Sequence, residues 1–286
     1  MQTLTYEKDD RIARITLNRP EVMNAINDEM PGEIAQAVAR ADADPDIHVI
    51  ILSGNGPAFC AGYDLTYYAE ANGSNNVTQD MPWDPIKDYR FMWSNTQHFM
   101  SLWRAMKPVI CKIHGYAVAG GSDIALCSDM AIMAEDAQIG YMPTRVWGCP
   151  TTAMWVYRLG PERAKRMLFT GDKITGREAA DMGLVLEAVP SDKLDDRVEE
   201  LAARMATVPI NQLAMQKIVI NQAIEQTGLM QTQRLATIFD GITRHSPEGL
   251  NFKHRAEEVG WKQAVTDRDD GTWDWTTNDP LPRRNR

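Results

Sequence analysis

The chain has 286 residues, a net charge of −9 and 44% hydrophobic residues, so it can bury a sizeable core as an ordinary globular protein. The acidic balance disfavours contact with a nucleic-acid backbone, which requires concentrated lysine and arginine. No apolar stretch approaches the roughly 18 residues of a membrane-spanning helix, so neither nucleic acid nor a membrane is expected as a partner.

The first ten residues, MQTLTYEKDD, lack the basic and apolar regions of a secretion signal. The four cysteines show no CxxC pairing, and in a chain without an export signal they are expected to be reduced, buried thiols. We therefore predict a cytoplasmic location. A basic cluster of Arg283, Arg284 and Arg286 ends the chain, and we interpret it as a solvated tail.

Strand and helix patterns alternate through the first 190 residues. Apolar and polar residues alternate through 11–17, as in a half-buried strand. Residues 28–41 carry apolar side chains at helical spacing. Residues 48–53, 108–114 and 130–134 are short apolar runs, typical of strands that are covered on both faces. This alternation predicts an α/β architecture with right-handed crossovers.

The later part of the chain has a different pattern. Residues 72–88 are polar and include two prolines, which predicts a mobile loop that could cover a site as a lid. After about residue 190 the strand pattern ends, and residues 215–222 and 238–242 have the spacing of long amphipathic helices. We divide the chain into a core (1–200), a helical oligomerisation region (201–265) and a tail (266–286).

Two phosphate-binding patterns are incomplete. SGNGPAF begins like a dinucleotide fingerprint, but Phe59 stands where the third glycine belongs. GDKITGR has the glycine spacing of a phosphate loop, but Arg177 replaces its lysine. The five histidines show no metal-ligand spacing. We therefore expect no metal or redox cofactor.

Three stretches, in this order and spacing, resemble the crotonase (enoyl-CoA hydratase/isomerase) superfamily: ITLNRPEVMNAIN (15–27), VIILSGNGPAFCAGYDL (49–65) and KPVICKIHGYAVAGGSDIALCSDMAIMAEDAQIG (107–140). Weaker sequence matches extend the resemblance over about residues 1–260. It implies a crotonase-like fold of repeated ββα units in a spiral core with a helical C-terminal region. It also implies a homotrimer or a hexamer (a dimer of trimers), and hydratase or isomerase activity on an acyl-CoA substrate, the coenzyme being part of that substrate.

Glycines follow two of the predicted strands, at Gly62 and at Gly120–Gly121. A chain without Cβ atoms can expose its N–H groups there to a ligand. An enolate oxygen needs two donors that converge on it from about 3 Å. The resemblance assigns this role to the N–H groups of Tyr63 and Gly120.

The resemblance also implies where coenzyme A binds. Ala61, Asp64 and Leu65 match the family segment beside the adenine and pantetheine, although Asp64 has the alternative role of capping the next helix. In the family, basic side chains of the C-terminal helices contact the phosphates. Lys253 and Arg255 lie in the matching stretch and have the alternative of being surface charges.

The acid/base residues depart from the family pattern. Family hydratases use two glutamates, one holding water and one exchanging the α-proton. The first corresponds to Asp123, which is one methylene shorter. The second falls on Pro143 or Thr144, and no carboxylate occurs between residues 136 and 162. Thr144 has too high a pKa to act as an unassisted base, and we predict it as a substrate contact.

Three hypotheses follow from this departure. In the first, Asp123 is the only acid/base group and acts through water. In the second, another group enters the site, such as Tyr141, Arg145, Asp80 or Asp84. In the third, the two N–H donors form an oxyanion hole that serves hydrolysis of a thioester or C–C bond, or decarboxylation. A non-catalytic acyl-CoA-binding protein is a further alternative. Arg145 is also predicted to recognise a substrate carboxylate, with a structural salt bridge as the alternative.

Overall fold

The computed structural model describes residues 1–281, so the predicted tail cluster of Arg283, Arg284 and Arg286 lies outside the described residues. The strands are β1 (Leu4–Asp9), β2 (Ile12–Leu17), β3 (Val49–Gly54), β4 (Val109–Ile113), β5 (Tyr116–Val118), β6 (Met130–Ala134), β7 (Gln138–Gly140), β8 (Lys173–Thr175), β9 (Glu187–Val189), β10 (Trp273–Asp274) and β11 (Asp279–Pro280).

The larger sheet has six strands in the order β1-β2-β3-β4-β6-β9. Strand β1 runs antiparallel to β2, and the remaining pairs are parallel. The side chains of β3 from Val49 to Leu52 are all buried, because helices and loops cover both faces of a parallel sheet. The strands predicted at 11–17, 48–53, 108–114 and 130–134 are confirmed as β2, β3, β4 and β6.

A second sheet contains β5, β7 and β8, with β5 parallel and β8 antiparallel to β7. Two isolated bridges tie the chain after β3 to neighbouring segments: Cys60 pairs with Ala117 of β5, and Tyr63 pairs with Ile26. These bridges place the turn after β3 directly beside the turn after β5.

The helices are α1 (Met30–Ala43), α2 (Pro85–Phe99), α3 (Ser101–Arg104), α4 (Gly120–Leu126), α5 (Met154–Thr170), α6 (Gly176–Asp181), α7 (Leu194–Ala206), α8 (Ile210–Glu225), α9 (Leu229–His245), α10 (Pro247–Val259) and α11 (Trp261–Asp269). Helix α5 is broken at Gly160, whose φ of 72° and ψ of 171° are not helical. Helix α1 confirms the predicted helix in 28–41 and turns its buried residues towards the large sheet.

The polar segment 72–88 is a loop only as far as Asp84. The Asp84 side chain accepts hydrogen bonds from the N–H groups of Ile86 and Lys87, and therefore caps α2. The last four residues of the predicted loop are thus the first turn of a helix.

The helices predicted around residues 215–222 and 238–242 are confirmed as α8 and α9, and α7, α10 and α11 are further helices of this region. The prediction that no strands follow was wrong, because β10 and β11 form a short antiparallel hairpin after α11. The predicted boundary at residue 265 falls inside α11. Trp275 of the tail packs on Phe252 of α10, with ring centroids 5.4 Å apart, so the tail covers the chain's own C-terminal helices.

Within residues 1–281, no helix has both the length and the apolar composition needed to cross a bilayer.

Candidate active site

A cleft of about 860 Å³ opens beside the two turns that follow β3 and β5. Its wall includes Ala61 and Tyr63 to Leu65 from the first turn, and Val118 to Gly120 from the second. Helix α9 and the C-terminal helices α10 and α11 also contribute lining residues. The three regions are far apart in the sequence and meet only in the folded chain.

The two turns approach each other as closely as two main chains can. A Cβ atom on Gly62 would lie 3.3 Å from the Gly120 nitrogen and 2.8 Å from the Ala119 Cβ. A Cβ atom on Gly120 would lie 3.1 Å from the Tyr63 ring. Gly62 also has a φ of +91°, which residues with a side chain rarely adopt. Glycine is therefore required for this approach.

Two main-chain donors are left without an acceptor between the turns. The N–H of Ile26 donates to Gly62 O at 2.8 Å, and the N–H of Asp64 donates to Ile26 O at 3.0 Å. The N–H groups of Tyr63 and Gly120 find no acceptor within residues 1–281. Gly120 is the first residue of α4, where a helix has no internal partner for an N–H. Both donors are thus available to a ligand in the cleft.

The second turn is strained, and hydrogen bonds hold it in place. Ala119 has a φ of 51° and a ψ of −128°, which is unfavourable for a residue with a side chain. The turn is fixed because the N–H of Ala119 donates to Gly140 O at 2.9 Å and the N–H of Ser122 donates back to Ala119 O at 2.9 Å. Strain of this kind is maintained where it positions a functional group, here the Gly120 N–H.

Asp123 lies one turn into α4 and is only 4% exposed. Its Oδ1 accepts a hydrogen bond from the Thr152 hydroxyl at 2.6 Å. Burial raises the pKa of Asp123 to about 8; the Thr152 hydrogen bond lowers it and the negative charge of Asp240 adds to the rise. The carboxyl is therefore largely protonated at neutral pH and titrates where proton transfer is efficient.

A second carboxylate, Asp240, lines the cleft from α9. Its Oδ1 accepts a hydrogen bond from the Cys149 N–H at 2.9 Å, and its Oδ2 pairs with Arg244, which also pairs with Asp88. Burial raises the pKa of Asp240, and the Arg244 guanidinium opposes this rise. Asp240 was not predicted from the sequence; its four-residue spacing from Arg244 was the only signal there, and that spacing indicates no more than a helical ion pair.

Two tyrosine side chains complete this part of the cleft. The Tyr63 hydroxyl accepts a hydrogen bond from Asn95 Nδ2 at 3.2 Å. Burial raises the pKa of both Tyr63 and Tyr141 well above the usual value, and the charges of Asp123 and Asp240 act in the same direction. Both hydroxyl groups therefore remain protonated. Of the replacement groups that the sequence suggested, Tyr141 reaches the cleft.

Six of the predicted site residues line the cleft together: Ala61, Tyr63, Asp64, Leu65, Gly120 and Asp123. The capping role considered for Asp64 is wrong. Its carboxylate pairs with Arg19 at 3.3 Å, and the short helical segment that follows, Thr66–Glu70, has no side-chain cap. Gly62 belongs to the first turn but does not line the cleft. Gly121 serves close packing, since a Cβ there would lie 2.2 Å from Cys60 O.

Three predicted residues are directed elsewhere. The Thr144 hydroxyl donates to Leu168 O at 2.5 Å, and the Arg145 side chain lies against Gly171. The Lys253 ammonium donates to Ala69 O at 3.0 Å and to Ala71 O at 2.5 Å, and pairs with a glutamate on its own helix. None of the three lines the cleft. The basic residues that do are Lys173, Arg244, Lys262 and Arg268.

The 72–84 loop is fastened to the end of α9. Arg244 Nε donates to Val77 O at 2.9 Å, and the Gln79 N–H donates to His245 Nε2 at 3.1 Å. The His245 ring stacks on Trp83 with centroids 4.2 Å apart. Its Nδ1 lies 2.8 Å from Gly241 O, so Nδ1 donates, Nε2 accepts and the imidazole is neutral. Val77 lines the cleft, which makes this loop part of the site.

Acidification is expected to loosen this loop. Burial lowers the pKa of His245, so the unfolded chain takes up the proton first as the pH falls below about 6.5. The free energy of unfolding therefore decreases from that pH down to the lowered value, where the ring gains a proton and loses the Gln79 contact. Hydrogen exchange of the Gln79 amide, corrected for intrinsic rates, should show protection falling in this window. His245→Gln should remove the pH dependence; equal dependence in both proteins would contradict the role of His245.

The fold brings two main-chain donors to one cleft, an arrangement suited to binding a carbonyl oxygen. Residues 7–263 match the family model described as enoyl-CoA hydratase/isomerase. A solved enoyl-CoA hydratase from Mycobacterium smegmatis has a TM-score of 0.89 and 49% identity over 95% of each chain. An enoyl-CoA hydratase/isomerase from Xanthobacter autotrophicus has a TM-score of 0.86 and 30% identity, covering 94% of this chain and 98% of that one.

A probable enoyl-CoA hydratase of Mycobacterium tuberculosis is 29% identical over 244 residues, which are 82% of this chain and 88% of the relative. The chain belongs to the enoyl-CoA hydratase/isomerase family. The predicted crotonase-type fold and the predicted class of enzyme, a hydratase or isomerase that acts on an acyl-CoA, are confirmed.

Proposed function

We propose that the Tyr63 and Gly120 N–H groups bind the thioester oxygen of an α,β-unsaturated acyl-CoA, and that the enzyme adds water to its double bond or moves that bond. One observation carries the proposal: two unpaired main-chain donors and the buried carboxyl of Asp123 line the same cleft. Donors fixed before the reaction stabilise an enolate without reorganisation.

The proton-transfer chemistry follows from the state of Asp123. Water oxygen bonds to the β-carbon, the electrons of the double bond move into the thioester, and the enolate oxygen is held by the two N–H groups. Asp123 then donates its proton to the α-carbon, and the proton that the added water loses restores Asp123. In isomerisation the ionised form of Asp123 removes the γ-proton and returns it to the α-carbon. The two N–H groups polarise the thioester carbonyl, and this proposal includes no metal or redox cofactor.

Coenzyme A is proposed to lie along the mouth of the cleft. Ala61 and Leu65 line it together with Trp261 and Val265 of α11, and these apolar side chains suit the pantetheine chain. The exposed Lys262 and Lys173 line the same cleft. We assign the phosphates to these two side chains rather than to Lys253, whose ammonium is already bound by protein oxygens.

The helices α8 and α9 carry large apolar side chains that are 44–68% exposed: Met215, Ile218, Val219, Ile220, Leu235, Ile238, Phe239 and Ile242. An exposed apolar set of this size favours burial against another subunit. It supports the proposed assembly as a homotrimer or a dimer of trimers. We also propose that the enzyme is cytoplasmic.

The test uses crotonyl-CoA with the full chain and records loss of the conjugated thioester and release of CoA thiol in parallel. We expect hydration without thiol release, and exchange of the α-protons of butyryl-CoA in heavy water. Thiol release without hydration would replace the proposal by thioester hydrolysis. Tight binding of both compounds with neither reaction would indicate a non-catalytic acyl-CoA-binding protein.

A further inference from the structure

Asp240 is a titratable group in the cleft that the mechanism above does not use. Its carboxylate is 3% exposed and lines the same cleft as Asp123. A single short segment anchors both: the Cys149 N–H donates to Asp240 at 2.9 Å, and the Thr152 hydroxyl donates to Asp123 at 2.6 Å. The two anchors are three residues apart in the chain, so one short segment holds both carboxyl groups, and the charge of Asp240 acts on Asp123.

The same segment is also fixed to α9, the helix that carries Asp240. Gln233 Nε2 donates to Thr152 O at 2.9 Å, and both residues are fully buried. Helix α9 therefore holds one carboxyl group directly and orients the residue that holds the other. The two acids form one structural unit, although they come from distant parts of the chain.

The two carboxyl groups have different partners. Burial raises the pKa of Asp123 to about 8, and its side-chain partner is the neutral Thr152 hydroxyl. Burial also raises the pKa of Asp240, but its carboxylate is paired with the Arg244 guanidinium and accepts the Cys149 N–H, and both oppose that rise. A carboxyl group with a neutral partner and one with a cationic partner are suited to act as an acid and a base.

We propose that Asp240 is the second proton-transfer group of the reaction, a general base that replaces the carboxylate missing between residues 136 and 162. The inference rests on the proposed hydratase or isomerase function. In hydration, Asp240 takes a proton from water as the water oxygen bonds to the β-carbon and the enolate forms under the two N–H groups. Asp123 gives its proton to the α-carbon. One proton transfer from Asp240 to Asp123 through water in the cleft restores both groups.

A purely structural role for Asp240 would be to anchor Arg244, and Asp88 provides the matched control for that role. Asp88 pairs with the same guanidinium, is 1% exposed and is not among the cleft-lining residues. Asp240→Asn and Asp88→Asn each remove one negative charge from Arg244, but only the first removes a carboxylate from the cleft. Both are nearly isosteric changes.

The experiment compares wild type, Asp240→Asn, Asp240→Glu and Asp88→Asn for crotonyl-CoA hydration, butyryl-CoA binding and thermal unfolding. Asp240→Asn should lower kcat by about 10²-fold, the lower end for loss of a general base, with butyryl-CoA affinity within about threefold. Asp240→Glu should recover part of the activity. Asp88→Asn should unfold at a lower temperature and keep kcat within about threefold of wild type.

The pH profile gives a readout that a structural role does not change. The groups that face Asp240 are Tyr63, Asp88, Asp123, Tyr141, Cys149 and Arg244. The acidic limb of kcat should be absent in Asp240→Asn and present in Asp88→Asn. Equal losses of kcat in these two variants, or an unchanged kcat in Asp240→Asn, would overturn the inference and leave the proposed function intact. A wild type that neither hydrates nor exchanges would overturn both.

Discussion

Asp123→Asn is expected to lower kcat for hydration by about 10³-fold while leaving acyl-CoA affinity nearly unchanged. An amide cannot deliver a proton to the α-carbon, and loss of a positioned acid typically costs 10²- to 10⁴-fold, so about 10³ is the central value. The amide oxygen can still accept the Thr152 hydrogen bond, so the cleft should keep its shape. In wild type, kcat should decline as the pH rises through about 8, where Asp123 loses its proton.

The same substitution is expected to stabilise the fold at alkaline pH. An aspartate has an ordinary pKa of 3.8, whereas the pKa of Asp123 in the folded chain is about 8. Between these values the folded chain binds one proton more than the unfolded chain, so its free energy of unfolding falls as the pH rises. Asn lacks this penalty, so its advantage should grow by about 1.4 kcal/mol for each pH unit between about pH 5 and about pH 8.

Thermal unfolding of both proteins from about pH 5 to about pH 8 measures the difference. A constant difference across this range would show that Asp123 is ionised throughout, and the assignment of Asp123 as the acid would then be wrong. Thr152→Val is the companion variant. It removes the hydrogen bond that lowers the Asp123 pKa, so the alkaline limb of kcat should move to higher pH.

Gly62→Ala is expected to lower kcat by about 10²- to 10³-fold, the range observed when one oxyanion donor is lost. The added methyl would lie 2.8 Å from the Ala119 Cβ and 3.3 Å from the Gly120 nitrogen. Contacts this short push the two turns apart, so the Tyr63 and Gly120 N–H groups no longer converge on one oxygen. The effect should fall on kcat more than on KM, because the enolate carries more charge than the bound thioester.

Gly183→Ala is the matched control for backbone strain. Gly183 has a φ of +77°, close to the +91° of Gly62, but a Cβ there meets nothing within 4 Å. Both variants therefore incur the cost of a positive φ, and only Gly62→Ala adds the clash. Steady-state kinetics and thermal unfolding should show similar destabilisation from strain but a large loss of kcat only at Gly62. Equal kinetics in the two variants would mean that this approach of the turns is not needed for catalysis.

Local sequence patterns predicted the main strands of the large sheet and several helices, and the resemblance to the family assigned the donor pair. Buried parallel strands such as β3 are continuous apolar runs because both faces are covered. Gly62 and Gly120 are visible in the sequence because only glycine tolerates the required contacts. The resemblance to the family assigned Asp123, three residues after Gly120, and within one helical turn such a spacing also fixes spatial position.

The tertiary structure decided which charged groups share the cleft. In the sequence, Asp240 and Arg244 have only the four-residue spacing of a helical ion pair. The packing of α9 against residues 149–152 brings them to Asp123. Lys253 matches the family stretch, but burial against Ala69 and Ala71 turns its ammonium away from the cleft. Local patterns specify backbone conformation and the face a residue takes, whereas burial, charge and pKa depend on contacts between distant segments, which sequence spacing does not record.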